Sequence, residues 1–137
     1  VSVDGQDYRH RDIESHSQFL PVQQLSKPVS KNVTVDYFAV FIKHQRTLHP
    51  TKYRYLLKDT DGIVFTDVVK LVSQVDALRL VSFIDRAYEQ QVPIRSGGEV
   101  PLTDVFTAEM IAGGYKKKYL RCVSRTSSLS SRPFPGE

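Results

Sequence analysis

Three residues near the C-terminus combine types and spacing that suit recognition of phosphate or carboxylate. Arg121, Ser124 and Arg125 stand three and four positions apart, which on a helix gathers them on one face. Guanidinium forks there can reach a phosphate group or a neighbouring subunit. A solvated or salt-bridging face is the commoner use of such a stripe. Arg79 is a further candidate, with Asp76 and Glu89 near it along a second helical stretch. An ion pair between helical neighbours is its first reading.

Other chemistries lack their residues. Phosphate-loop catalysis needs a glycine-rich turn ending in lysine and a hydroxyl residue, whose backbone amides wrap the phosphates. No Gly-x-x-x-x-Gly-Lys-Ser/Thr occurs in the 137 residues. His10, His16, His44 and His49 have none of the spacings that zinc sites favour, and no Gly-x-Ser-x-Gly elbow is present. No catalytic residue and no metal ligand is therefore assigned. Ile63-Val-Phe-Thr-Asp67 looks like a strand that ends in a magnesium-binding carboxylate. Without a phosphate loop before it, the structural reading of a buried α/β strand comes first. Cys122 lies among basic residues but on an apolar helical stripe, so it reads as a small core residue. A single cysteine excludes an internal disulfide framework and fits a reducing compartment.

The charge is uneven. Residues 1–114 carry 13 Lys+Arg against 14 Asp+Glu, a net −1, whereas residues 115–137 carry 6 against 1, a net +5. The basic end suits phosphate, nucleic acid or an acidic partner surface, and equally a solvated face. With 40% hydrophobic residues and no apolar run near the roughly 20 residues needed to span a bilayer, the chain reads as one ordinary globular domain. No signal peptide is visible. The chain starts at Val1 inside an apparent strand end, so a truncated or processed start is expected.

The elements that must position these side chains follow from pattern. Residues 1–35 read as a strand end and a polar connector. A helix is expected from Thr34 or Asp36 to about Leu48, with Asp36 as N-cap and His49-Pro50 as its break. A short helical piece, Thr51 to Leu57, follows. Residues 62–69 are β-branched and aromatic, a strand. Ser73-Gln-Val-Asp76 is a capping box that opens a helix over about 74–90, and residues 92–97 return as a strand. That is a right-handed βαβ unit, with Pro93 placing the second strand at a sheet edge. Thr107 caps a brief helix ended by Gly113-Gly114. The last helix runs from Tyr115 to about Leu129 with Tyr115, Tyr119, Cys122 and Leu129 as its buried stripe. Residues 36–129 form the α/β region, and 130–137 are expected to be a disordered tail.

The second half resembles the C-terminal region of the ZapE ATPases, bacterial cell-division proteins related to the mitochondrial lactation-elevated (AFG-like) ATPases. The stretches that carry the likeness are Asp67-Val68-Val69, Leu78-Arg79-Leu80-Val81-Ser82-Phe83-Ile84-Asp85-Arg86-Ala87-Tyr88-Glu89, Val92-Pro-Ile-Arg-Ser96-Gly97 and Arg121-Cys122-Val123-Ser124-Arg125-Thr126. Asp7-Tyr8-Arg9 resembles the tripeptide that follows the family's ATPase core strand. Gly113-Gly114-Tyr-Lys-Lys-Lys-Tyr-Leu-Arg121 resembles the actinobacterial branch. Order and spacing carry the identification. Val69, Leu78 and Thr126 stand where the family has proline, arginine and leucine.

The resemblance implies a fold that is part of a larger P-loop ATPase, with phosphate loop, Walker B strand and sensor asparagine all before Val1. It implies ATP and Mg2+ in the intact protein, neither held tightly by these residues alone, and hence no hydrolysis by this piece. It implies hydrolysis coupled to division-ring remodelling, a cytoplasmic protein peripheral at the membrane or division site, and partners in the N-terminal ATPase core and ring proteins such as FtsZ. Arg121, Ser124, Arg125 and Arg79 become nucleotide-sensing or interface candidates. Two other readings stand beside it. One is a basic nucleic-acid-binding module, disfavoured by tyrosines on the buried stripe; the other is an interaction module pairing through its edge strand.

Overall fold

The computed structural model describes residues 2–3, 6–7, 21–22 and 32–136. Tyr8, Arg9, His10 and His16 lie outside them. Strands β1 (Ser2–Val3) and β2 (Gln6–Asp7) pair antiparallel. The main sheet has the order β3-β4-β5-β6, with β3 (Pro21–Val22) antiparallel to β4 (Val33–Tyr37), and β4, β5 (Gly62–Val68) and β6 (Ile94–Gly98) parallel.

Strand β4 corrects the expected helix start at Thr34 or Asp36. Val33, Thr34 and Val35 are β-branched, and all five residues pair in register with Gly62–Thr66 of β5. Cross-strand packing decides such a short stretch more than local pattern does. Asp36 is a buried strand residue. Helix α1 (Phe38–Gln45) begins two residues later, behind Tyr37, which gives it no side-chain cap.

The βαβ unit forms where the sequence placed it. Residues 62–68 are buried at every position except Asp67. The hydroxyl of Ser73 accepts the Asp76 amide at 3.3 Å and opens the long helix over Gln74–Glu89. Among the described residues β6 lies at one edge of the sheet, the position that Pro93 predicts. The β5–β6 register shifts between Phe65 and Val68. Asp67 there takes a left-handed conformation, φ 54°. Gly98 has φ 152°, and a Cβ on it would fall 2.1 Å from the Val68 amide nitrogen; only glycine fits so close an approach.

After α1 come a 3-10 turn (Pro50–Lys52) and α2 (Tyr53–Leu57), and α3 is the Gln74–Glu89 helix. A second 3-10 turn (Leu102–Asp104) leads to α4 (Ala108–Ala112), capped by Thr107, and α5 (Lys116–Ser130). Ile63 and Phe65 look into one layer with α1, α2 and α3, where Phe41, Phe65, Phe83 and Tyr53 meet edge to face or tilted at 4.7–6.3 Å. Such ring geometries add to simple burial. Val33, Val35 and Val64 face the other way.

That second face overturns the expectation for the tail. Phe134 is only 3% exposed and joins Val33, Val35 and Val64. Arg95 holds the approach, donating to the carbonyls of Ser130 (2.9 Å) and Arg132 (2.7 Å), with its guanidinium 5.3 Å from the Phe134 ring. An aromatic ring with an apolar surface in reach docks despite flanking prolines. A smaller correction concerns the last helix. Tyr115 is 41% exposed, and Thr126 instead joins Tyr119, Cys122 and Leu129 in the buried stripe. Val75 is exposed at the start of α3. No helix among the described residues is long and apolar enough to cross a membrane.

Candidate functional site

Two of the candidate arginines, Arg121 and Arg125, meet at the crossing of α3 and α5. Arg125 and Arg121 lie one turn apart on α5, and Asp85 faces both from α3. Arg125 Nη1 donates to Asp85 Oδ1 at 2.7 Å, and Arg121 Nη2 donates to Oδ2 at 3.2 Å. The two pairs differ in setting. The Arg125 guanidinium also lies 4.8 Å from the Tyr88 ring, a cation–π contact, and its side chain is 31% exposed against 46% for Arg121. Asp85 is the more enclosed member, at 13%. One carboxylate thus serves two guanidiniums, holding Arg125 firmly and Arg121 loosely. Ser124 stays exposed on the same helix.

Asp85 was not singled out from sequence. Its partners are 36 and 40 residues away, and only the packing of α3 on α5 joins them. The available signal was an acidic residue on a largely apolar helix, opposite a basic one.

Arg79 departs from its expected role. It donates to the Leu48 carbonyl at 3.2 Å and lies beside the Tyr53 hydroxyl. Its proposed partners are taken by other arginines. Asp76 accepts two bonds from Arg46, at 2.9 and 2.7 Å, and Glu89 pairs with Arg86 at 2.9 Å and Arg54 at 3.5 Å. Arg79 therefore ties α3 to the chain after α1 and stands apart from the α5 pair.

Cys122 is buried beneath this crossing, 4.0 Å from the Thr126 hydroxyl. Burial pushes its thiol up to about 12, so it carries no thiolate nucleophile near neutral pH. The start of α5 is different in character. Lys116, Lys117 and Lys118 are exposed, the first turn has no acidic residue, and Tyr115 supplies no side-chain cap. Cations at the positive end of a helix dipole are unfavourable, which leaves a strongly positive surface.

These residues do not by themselves fit ATP and Mg2+. The chain contains no phosphate loop. Asp67, the end of the Walker-B-like run, is exposed, and no group of three His, Cys, Asp or Glu among the described residues is placed to hold a metal ion. What the site offers is positioned guanidinium.

Comparison with known proteins adds the family. No curated protein and no solved structure gives a significant match. The model of the AFG1-like ATPase family matches residues 23–135, which include the parallel sheet, the α3–α5 crossing and Phe134, and the chain therefore belongs to the AFG1-like ATPase family.

Proposed function

We propose that this chain works as the C-terminal part of a ZapE-type ATPase whose phosphate loop lies in a separate core of the intact protein. ATP and Mg2+ are bound by that core. Hydrolysis there drives remodelling of the division ring in the cytoplasm, at the division site, with ring proteins such as FtsZ as partners. The observation that carries this reading is the family match over residues 23–135, in a chain that has no Gly-x-x-x-x-Gly-Lys-Ser/Thr of its own.

Within that reading Arg121 is the sensing arginine. It is the more exposed of the two, its bond to Asp85 is the longer, and a phosphate entering from the core would compete for it. Arg125 is its anchor, and Arg79 and Ser124 belong to the interface rather than to chemistry. The test is turnover of the intact ATPase. Arg121→Ala is expected to cut kcat at least about tenfold with little change in fold, and Arg79→Ala to leave it within about twofold. The isolated chain is expected to release no phosphate from ATP; an enzymatic rate from it would end the reading.

One observation favours a second use of the basic end. Tyr115 stands exposed beside Lys116, Lys117 and Lys118, with the Lys118 ammonium 5.4 Å from its ring. An aromatic among lysines suits single-stranded nucleic acid. Binding that weakens steeply with salt and is lost in Tyr115→Ala would support that reading over the first.

A further inference from the structure

Helix α2 turns one ring inward and another outward. Tyr53 and Leu57, four residues apart, are buried against the core, which sends Tyr55 between them to the opposite side. Tyr55 is 74% exposed, the most open aromatic ring among the described residues. It forms one wall of a hollow whose other lining residues are Thr51, Arg54, Lys58 and Gln90. Lys52 stands one turn before Tyr55 and Lys58 one turn after it, both exposed. The Lys52 ammonium is 5.9 Å from the ring centroid, at the outer limit of a cation–π contact, so it leaves the ring open to a closer ligand. The charges here are not all matched. Arg54 has Glu89 at 3.5 Å. Lys52 and Lys58 make no ion pair among the described residues, and neither does Asp59 beside Lys58. Gln90 Nε2 donates to the Arg54 carbonyl at 3.5 Å, a long bond that leaves the amide edge available.

We propose that this hollow binds a single strand of nucleic acid, with one base stacked on Tyr55 and the phosphates to either side of it held by Lys52 and Lys58. The lining decides among ligands. An acidic peptide would use the lysines and leave the ring idle. An apolar partner would want apolar neighbours for the ring, and here the neighbours are a hydroxyl, two cations and an amide. A base has a flat face for the tyrosine, a polar edge for the Gln90 amide and an anionic backbone for the lysines. A paired base keeps its faces stacked inside the duplex and offers none to a ring on a convex helix, so the hollow selects unpaired strands. The site stands on its own residues and needs neither the ATPase activity nor Tyr115.

The test is fluorescence anisotropy of a short labelled oligothymidylate titrated with the 137-residue chain. Binding is expected to weaken with salt, and Lys52→Gln and Lys58→Gln should each flatten the log–log slope by about 0.7. Tyr55→Ala should weaken binding about tenfold, whereas Tyr55→Phe should retain it, because stacking needs the ring and not the hydroxyl. Tyr55 is exposed, so the fold survives its replacement, and circular dichroism verifies this in each variant. Oligothymidylate and oligouridylate compared side by side identify DNA, RNA or both as the strand, and each of these supports the site. Full affinity in folded Tyr55→Ala, equal affinity for a duplex of the same length, or displacement by ATP as effective mole for mole as by unlabelled strand would overturn it. So would a loss confined to Tyr115→Ala, which leaves the second use of the basic end standing. None of these outcomes bears on turnover of the intact ATPase.

Discussion

The Phe134 ring occupies the space that a Cβ on Gly62 would need, its edge atoms lying 2.8 Å from that position. The first residue of β5 is thus a glycine because the chain returns to it after α5. Two substitutions check this. Phe134→Ala should cost about 3 kcal/mol, the usual loss for a buried phenylalanine, read from urea denaturation. Gly62→Ala should cost about 1–2 kcal/mol through overpacking, and less in the Phe134→Ala background, where the clash is gone. An unaltered midpoint in Phe134→Ala would show that the tail adds nothing.

Asp67 holds φ 54° with an exposed side chain. A left-handed conformation is unfavourable for any residue with a Cβ, though less so for aspartate than for most. Asp67→Gly should therefore stabilise the protein, by about 0.5–1 kcal/mol, and Asp67→Val should destabilise it by more. Thermal unfolding of the two variants checks the sign.

Alkaline pH should loosen the fold. Burial lifts Cys122 from its ordinary 9.0 to about 12 and raises Tyr53 and Tyr119 above their ordinary 10.0. Each group holds its proton more tightly folded than unfolded. The stability this gives is complete below the ordinary pKa and is lost as pH rises through the folded one. For Cys122 the window is pH 9 to 12. Circular dichroism should show the unfolding midpoint falling through that range, less steeply in Cys122→Ala. Thiol labelling at pH 8 should be slow until denaturant is added.

Asp85 is shared unequally, and a double-mutant cycle should read the difference. Both guanidiniums reach solvent, so screening keeps each pair to about 1 kcal/mol or less. The coupling of Asp85 with Arg125 should exceed that with Arg121, because the contact is shorter and less exposed. Equal couplings would contradict the assignment of Arg125 as anchor.

The β5–α3–β6 unit was legible because its signals are local: β-branched residues, a Ser73 cap and a Pro93 that marks an edge. Strand β4 was not, since Val33–Tyr37 is strand only by virtue of pairing with β5, and its aromatic continuation has helical spacing. Phe134 was hidden for the same reason; its burial depends on Gly62, a residue far away in sequence. The arginines of α5 could be placed on one face by counting, but their common acid could not. Arg79 was given a partner within its own helix, and tertiary packing supplied the Leu48 carbonyl instead.

Helix α3 touches α1, α2, the Pro50–Lys52 turn and α5, while its inner residues Ala77, Leu80, Phe83, Ile84 and Ala87 are buried. Its central amides can then exchange with solvent only when the whole molecule opens. The outer rim of β6 and the first turn of α5 give way much sooner. Any force or partner that pulls on α5 is consequently felt along a stiff rod running beneath the sheet, and the opposite end of that rod is the Ser73 turn beside the carboxyl end of β5.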